Sequence, residues 1–278
     1  MLKTSTSPDN DNPDDLDSLV NERDFLTSDE LIEVFNDTVS AFKNPDGRFH
    51  CYGVPSASQI VKNVKNHTPA KYPNPAAVVV ENTCTLDMCK SLIDAGLFPL
   101  VLNMASNIRP GGGVRKGAVA QEEDLFRKSN YSQTLDVNLL PVGTYPLKGL
   151  AMVHSPNVTV VKGREYHDLQ DPFAVTFVAC PAVRKPSIDE NGYCDHAEEY
   201  LMAQRIERIY KLAYTYGHDS LVLGAFGCGA FRNPPEVVAK IFRTYNDKYS
   251  KCFKFIGFPV YSTTGNPNYN IFRKILLE

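Results

Sequence analysis

A chain of 278 residues can bury one substantial core, and 43% hydrophobic with 22% charged residues is the balance of a water-soluble globular protein. Its formal charge of −3 excludes a polybasic nucleic-acid binder with direct readout, and no apolar run is long enough to span a bilayer. Seven cysteines without a CxxC pair and six histidines without an HExxH spacing argue for reduced thiols in a cytoplasmic or nuclear protein, with no metal site and no cofactor.

Residues 1–24 are acidic and polar, lack a signal-peptide pattern, and are expected to form a disordered tail. Residues 25–75 are expected to form a helical extension packed on the core. In "SDELIEVFNDTVSAF" Ser28 is the expected N-cap, and Leu31, Val34, Phe35 and Val39 fall at helical spacing. From residue 76 to 278 apolar strands alternate with helices. "AAVVVEN" reads as a strand, "LDMCKSLIDAG" as a helix stopped by Gly96, and "FPLVLNMAS" as a second strand. A glycine loop and a helix over about 121–135 follow, then strands in "GLAMVHS", "VTVVKG" and "FAVTFVACP". A long helix over about 195–216 precedes a strand in "SLVLGAF". "NPPEVVAKIFRTYNDKY" is a helix with Asn233 as N-cap and Pro234 in its first turn, and "FKFIGFPVYS" is the last strand. Nearly continuous apolar strands between helices predict a single three-layer α/β/α domain with a mixed, mainly parallel sheet.

Two glycine-rich loops leave the ends of strands, Gly111 to Gly113 and "GAFGCGAF" at 224–231. Ligands of open α/β sheets bind outside the carboxyl ends of the strands, where glycine lets backbone N–H groups face ligand oxygens. Two such loops suit a diphosphate. Neither carries the GK[ST] of a P-loop, and no GxGxxG opens a first βαβ unit, so nicotinamide chemistry is a minor alternative.

Glu122, Glu123 and Asp124 follow the first loop. Acids at a helix start are also favoured by the helix dipole, and Glu123 with Arg127 and Asp124 with Lys128 have the spacing of surface ion pairs. Their place beside the loop fits another role: a carboxyl that protonates the leaving oxygen of a glycosidic bond, with a second one that holds ribose hydroxyls and raises its neighbour's pKa. Arg109, Arg115 and Lys116 lie on the loop itself, where they would steer a polyanion.

The segments "VLNMASNIRPGGGVRKGAVAQEEDLFRKS", "VHSPNVTVVK" and "LVLGAFGCGAFRNPPEVVA" resemble the microbial-type poly(ADP-ribose) glycohydrolases, which are macrodomain-related, from about Ala76 onward. The resemblance implies a macrodomain-like fold and an ADP-ribosyl glycohydrolase. Its substrates would be poly(ADP-ribose) chains or serine-linked ADP-ribose on proteins, bound by a monomer. The alternative is a reader that binds ADP-ribose without cleaving it. By the resemblance Glu123 is the acid/base and Glu122 holds the distal ribose. Gly111, Gly112 and Gly113 line the distal ribose and diphosphate, and Gln121 braces the loop. Gly227, Cys228, Gly229 and Ala230 form the second diphosphate loop. Phe231 packs on the distal ribose and Asn103 lies near the ribose. Many relatives have an acidic adenine contact where this chain has Cys84, and a thiol cannot replace that acceptor.

Overall fold

In the computed structural model, which describes residues 26–278 apart from 137, 191, 193, 194 and 263–265, the apolar strands form one seven-stranded sheet. The expected disordered tail at 1–24 and Cys194 lie outside the described residues. The elements in chain order are α1 (Ser28–Lys43), β1 (Gln59–Ile60), β2 (Ala77–Glu81), α2 (Thr85–Asp94), β3 (Pro99–Met104) and α3 (Gln121–Lys128). They continue with β4 (Val153–Lys162), β5 (Asp168–Cys180), α4 (His196–Thr215), β6 (Ser220–Val222), α5 (Pro235–Lys248), β7 (Phe255–Pro259) and α6 (Asn268–Leu277).

The sheet order is β1-β4-β5-β3-β6-β7-β2. β5, β3, β6, β7 and β2 pair in parallel, while β4 runs antiparallel to β5 and β1 antiparallel to β4. Alternating side chains feed two cores. Leu100 and Leu102 of β3 face a cluster with Ile206 and Ile209 of α4, Phe242 of α5 and Phe272 of α6. Val101 between them faces Phe35 of α1, Leu92 of α2 and Leu125 of α3. Helices therefore cover both faces, as expected for a mixed α/β/α fold. Among the described residues no helix is long and apolar enough to cross a membrane.

Four local expectations change. The segment 25–75 contains one α-helix rather than several, and Gln59–Ile60 adds a strand to the sheet edge, pairing with His154 and Val153. Thr27, not Ser28, caps α1: it forms a capping box with Glu30, each satisfying the other's backbone N–H. Helix α3 stops at Lys128, because Ser129 is extended, bridges to Val160 and donates its hydroxyl to the Leu125 carbonyl at 2.6 Å. The two strands expected at 149–155 and 158–163 are one, β4, whose register shifts between Ser155 and Val158, with Asn157 at φ 57°. Proline and asparagine at that bulge mimic a strand break.

The edge of the sheet is decided by β3, β5 and β6. They run parallel and adjacent, so the segments after Met104, Cys180 and Val222 emerge on the same side.

Candidate active site

Helix α3 begins where the glycine loop ends, and its first residues tie loop, strand and helix together. Gln121 Oε1 accepts the N–H of Met104 at 2.8 Å, and its Nε2 donates to the Leu102 carbonyl at 2.6 Å. The side chain thus continues the hydrogen bonding of β3 and fixes the helix to the strand end, rather than bracing the glycines directly.

Glu122 is 3% exposed and bound wholly within the protein. Its Oε1 accepts from Gly111 N at 3.1 Å and Asn103 Nδ2 at 3.3 Å, and its Oε2 accepts from Ser106 N at 2.7 Å. Burial pushes its carboxyl up to about 8, and the Glu123 charge adds to this, against the opposing pull of these N–H donors. Asn103, fully buried, also donates to Tyr131 Oη at 3.4 Å. Asn103 and Glu122 thus stand behind the glycine loop and hold it.

Glu123 is arranged differently. Its Oε1 accepts Gly113 N at 2.7 Å, and its Oε2 has no hydrogen bond from the described residues. The side chain lines a cleft of about 620 Å³, shared with Gly112, Gly113 and Phe231. A Cβ built on Gly112, which sits at φ +51°, would lie 2.3 Å from Glu123 Oε1, so only glycine lets the loop approach this carboxylate. One oxygen is anchored and the other faces the cleft.

The flanking helix residues separate into two kinds. Lys128 pairs with Asp124 at 2.8 Å as its spacing suggests, but its side chain is buried and not on a solvated surface. Arg127 does not pair with Glu123: it is fully buried, and its guanidinium donates to the Leu31 carbonyl at 3.1 Å and the Ala118 carbonyl at 2.6 Å. One of these carbonyls belongs to α1 and the other to the end of the glycine loop, so the cation joins the two instead of meeting the acids. Thr38 of α1 answers with a 2.7 Å bond to the Arg127 carbonyl. The N-terminal helix therefore supports the site from behind.

The second loop lies at the same sheet edge. Gly227 has φ +75°, and a Cβ there would lie 2.4 Å from Ala182 Cβ. Asn233 does not cap α5, which starts at Pro235 with Pro234 as its cap. Its side chain instead donates to the carbonyls of Val183 at 2.7 Å and Gly227 at 3.0 Å, closing the loop on itself. Cys228 Sγ contacts the Phe226 carbonyl at 3.7 Å, and burial raises its thiol. Gly229 and Ala230 are exposed, with open space at Gly229. Phe231 lines the Glu123 cleft; Gly227, Cys228, Gly229 and Ala230 do not. Cys84 occupies the cap position before α2 without a side-chain cap bond, and burial raises its thiol.

Residues 48–163 match the family described as "Microbial-type PARG, catalytic domain". The family resemblance carried by the glycine loop and the glutamates holds. The matched region includes both, while the second loop lies beyond it. The structure is similar to that of poly(ADP-ribose) glycohydrolase from Thermomonospora curvata, with a TM-score of 0.75 and 24% identity over 89% of this chain and 99% of that one. It is also similar to the Deinococcus radiodurans poly(ADP-ribose) glycohydrolase in complex with ADP-ribose, with a TM-score of 0.64 and 22% identity over 90% and 91% of the two chains. These likenesses establish the fold. No curated protein matches the sequence.

Sequence reasoning missed a third loop, Pro181 to Ser187 after β5, which brings Arg184 into the cleft with Glu123. Its only signal is the "CPAVRKP" run between a strand and a helix.

Proposed function

We propose that this chain is an ADP-ribosyl glycohydrolase that cleaves the O-glycosidic bond of ADP-ribose, in poly(ADP-ribose) chains or on a serine hydroxyl, and releases ADP-ribose. The observation that carries this reading is Glu123: one oxygen is held by Gly113 N, and the other is open to a cleft at the carboxyl edge of the sheet. A carboxyl so placed can protonate the departing oxygen as positive charge grows on the anomeric carbon, then take a proton from attacking water. Fixing one oxygen keeps the other in line without reorganisation.

Glu122 acts through the loop. Its bonds to Gly111 and Ser106 set the glycine backbone against the distal ribose and diphosphate. Asn103 and Gln121 hold the acids at the end of β3. Phe231 offers its ring to the ribose, and Gly227, Cys228, Gly229 and Ala230 form the second cradle for the diphosphate. The pairing of this cradle with Glu123 makes a glycohydrolase the better account than a binding-only reader, which has no use for a carboxylate oxygen left open to the ligand.

Purified protein should release free ADP-ribose from poly(ADP-ribose) or from serine-linked ADP-ribose while leaving glutamate-linked ADP-ribose largely intact. An ester can be opened at its acyl carbon, whereas Glu123 is posed for an ether-like oxygen. Fast release from the ester with little from either ether would contradict the proposal.

A further inference from the structure

Behind Glu122 a row of hydroxyls runs from the site towards the edge of the sheet. Asn103 Nδ2 donates to Glu122 Oε1 at 3.3 Å and to Tyr131 Oη at 3.4 Å, while Asn103 Oδ1 has no partner among the described residues. Tyr131 is bonded in turn to Ser155, and Ser155 Oγ lies 2.7 Å from Ser58 Oγ. Ser58 meets Thr134 Oγ1 with its N–H at 2.7 Å and its hydroxyl at 3.0 Å, and Thr134 donates to the Ser56 carbonyl at 2.8 Å. Asn103, Tyr131, Ser155 and Thr134 are all buried.

The row ends on two acceptors, the Ser56 carbonyl and the Glu122 carboxylate, and each hydroxyl between them has one hydrogen to give. One arrangement serves every member. Thr134 accepts from Ser58, Ser58 from Ser155 and Ser155 from Tyr131, which leaves Tyr131 Oη to accept from Asn103. Both hydrogens of Asn103 Nδ2 are then used, one on Tyr131 and one on Glu122. The opposite orientation of the amide has the same shape but sets Oδ1 against the carboxylate. Two buried acceptors would then face each other with no hydrogen between them.

Tyr131 is itself fixed in relation to the glycine loop. Its ring lies between Phe126 at 4.9 Å and Phe177 at 4.7 Å, and its N–H donates to Ser129 Oγ at 3.2 Å. The same Phe126 ring packs under Gly111, where an added Cβ would lie 2.8 Å from it.

We propose that Tyr131 is a positioning residue: its hydroxyl, oriented by Ser155, Ser58 and Thr134, holds the Asn103 amide with Nδ2 towards Glu122 and so fixes the glycine backbone that receives the distal ribose and diphosphate. This rests on the glycohydrolase reading above, through the role given there to Glu122. Glu123 is anchored separately on Gly113 N, so the effect falls on binding more than on chemistry.

The test is a double-variant cycle of Tyr131→Phe and Asn103→Ala, read by calorimetry with ADP-ribose and by KM and kcat on poly(ADP-ribose). Tyr131→Phe keeps the ring and loses only the hydroxyl. It should weaken ADP-ribose affinity and raise KM by roughly fivefold to tenfold, as for one lost hydrogen bond, with kcat within about threefold. In the Asn103→Ala background the same change should cost less than about twofold, because its partner is already gone. From the far end of the row, Thr134→Val should weaken affinity by about two- to fivefold, and Thr134→Ser, which keeps the hydroxyl, should restore it. Thermal melting of each variant separates these effects from unfolding. Additive losses in the double variant would show that Tyr131 acts without Asn103 and overturn the proposal. Unchanged affinity and KM in Tyr131→Phe, or a loss confined to kcat, would overturn it too. Should Tyr131→Phe fail to fold, equal affinities for Thr134→Val and Thr134→Ser would be the contradicting result. Calorimetry needs no turnover, so absence of release by the wild type would contradict the glycohydrolase reading while the affinity cycle still decides the role of Tyr131.

Discussion

Two adjacent glutamates meet opposite fates within one helical turn. Glu122 spends both oxygens on internal N–H donors, whereas Glu123 spends one and keeps one for the cleft. The difference comes from helix geometry, since neighbouring side chains project about 100° apart and only one can face the cleft. Gly112 is the residue on which this division depends, because its hypothetical Cβ falls 2.3 Å from Glu123 Oε1. Gly112→Ala should therefore displace the carboxylate and lower kcat by about a hundredfold, the scale expected for an ångström of misplacement. The fold should survive with a loss of roughly 1–2 kcal/mol for the left-handed backbone. Turnover and thermal melting measured on the same preparation check both halves, and near-normal kcat would show that the loop does not set the acid.

At the scale of elements, α1 and α3 are locked by one buried cation. Arg127 serves Leu31 and Ala118 carbonyls while its own carbonyl takes the Thr38 hydroxyl. Arg127→Leu should remove a charge-assisted bond to each of these carbonyls and cost roughly 2–4 kcal/mol, read by urea denaturation. A loss below about 1 kcal/mol would mean that α1 is held by its apolar face alone. The same elements show what the sequence could and could not reveal. Glycines beside paired acids were legible because their chemistry is local: few other reasons put flexible backbone against two carboxylates. The Arg127 contact was not, since i,i+4 spacing with Glu123 offers a plausible surface pair and nothing local announces that the Leu31 and Ala118 carbonyls take its donors. β1 is two residues long and has no periodicity to read. α6 lies outside the elements expected from the sequence, although its Phe272 is fully buried. Arg184 depends on backbone bonds between distant loops, which leave no trace in spacing.

For the whole molecule, pH dependence of stability should come from opposed buried groups. Burial lowers His154 and His218 from 6.5 to about 4, and His154 Nδ1 and Nε2 have no partners among the described residues. Below pH 6.5 the unfolded chain takes up protons that the folded chain refuses until about 4. Their contribution is thus present above 6.5 and lost as pH falls through this window, up to about 3 kcal/mol for each. Glu122 acts in the other direction: its folded value of about 8 lies above the ordinary 4.5, so its contribution is present below 4.5 and lost as pH rises towards 8. Denaturation of His154→Phe, which keeps a ring against Tyr216, should show a shallower loss between pH 6.5 and 4 than wild type, and an unchanged slope would clear His154 of the effect. Turnover depends on one proton at Glu123, and Glu123→Gln removes that proton while preserving shape. Calorimetry with ADP-ribose and a release assay on poly(ADP-ribose), run on the same variant, measure binding and chemistry separately. Affinity within a few-fold of wild type, with release reduced by about a hundred- to ten-thousand-fold, is the predicted result; release above roughly a tenth of wild type would contradict it.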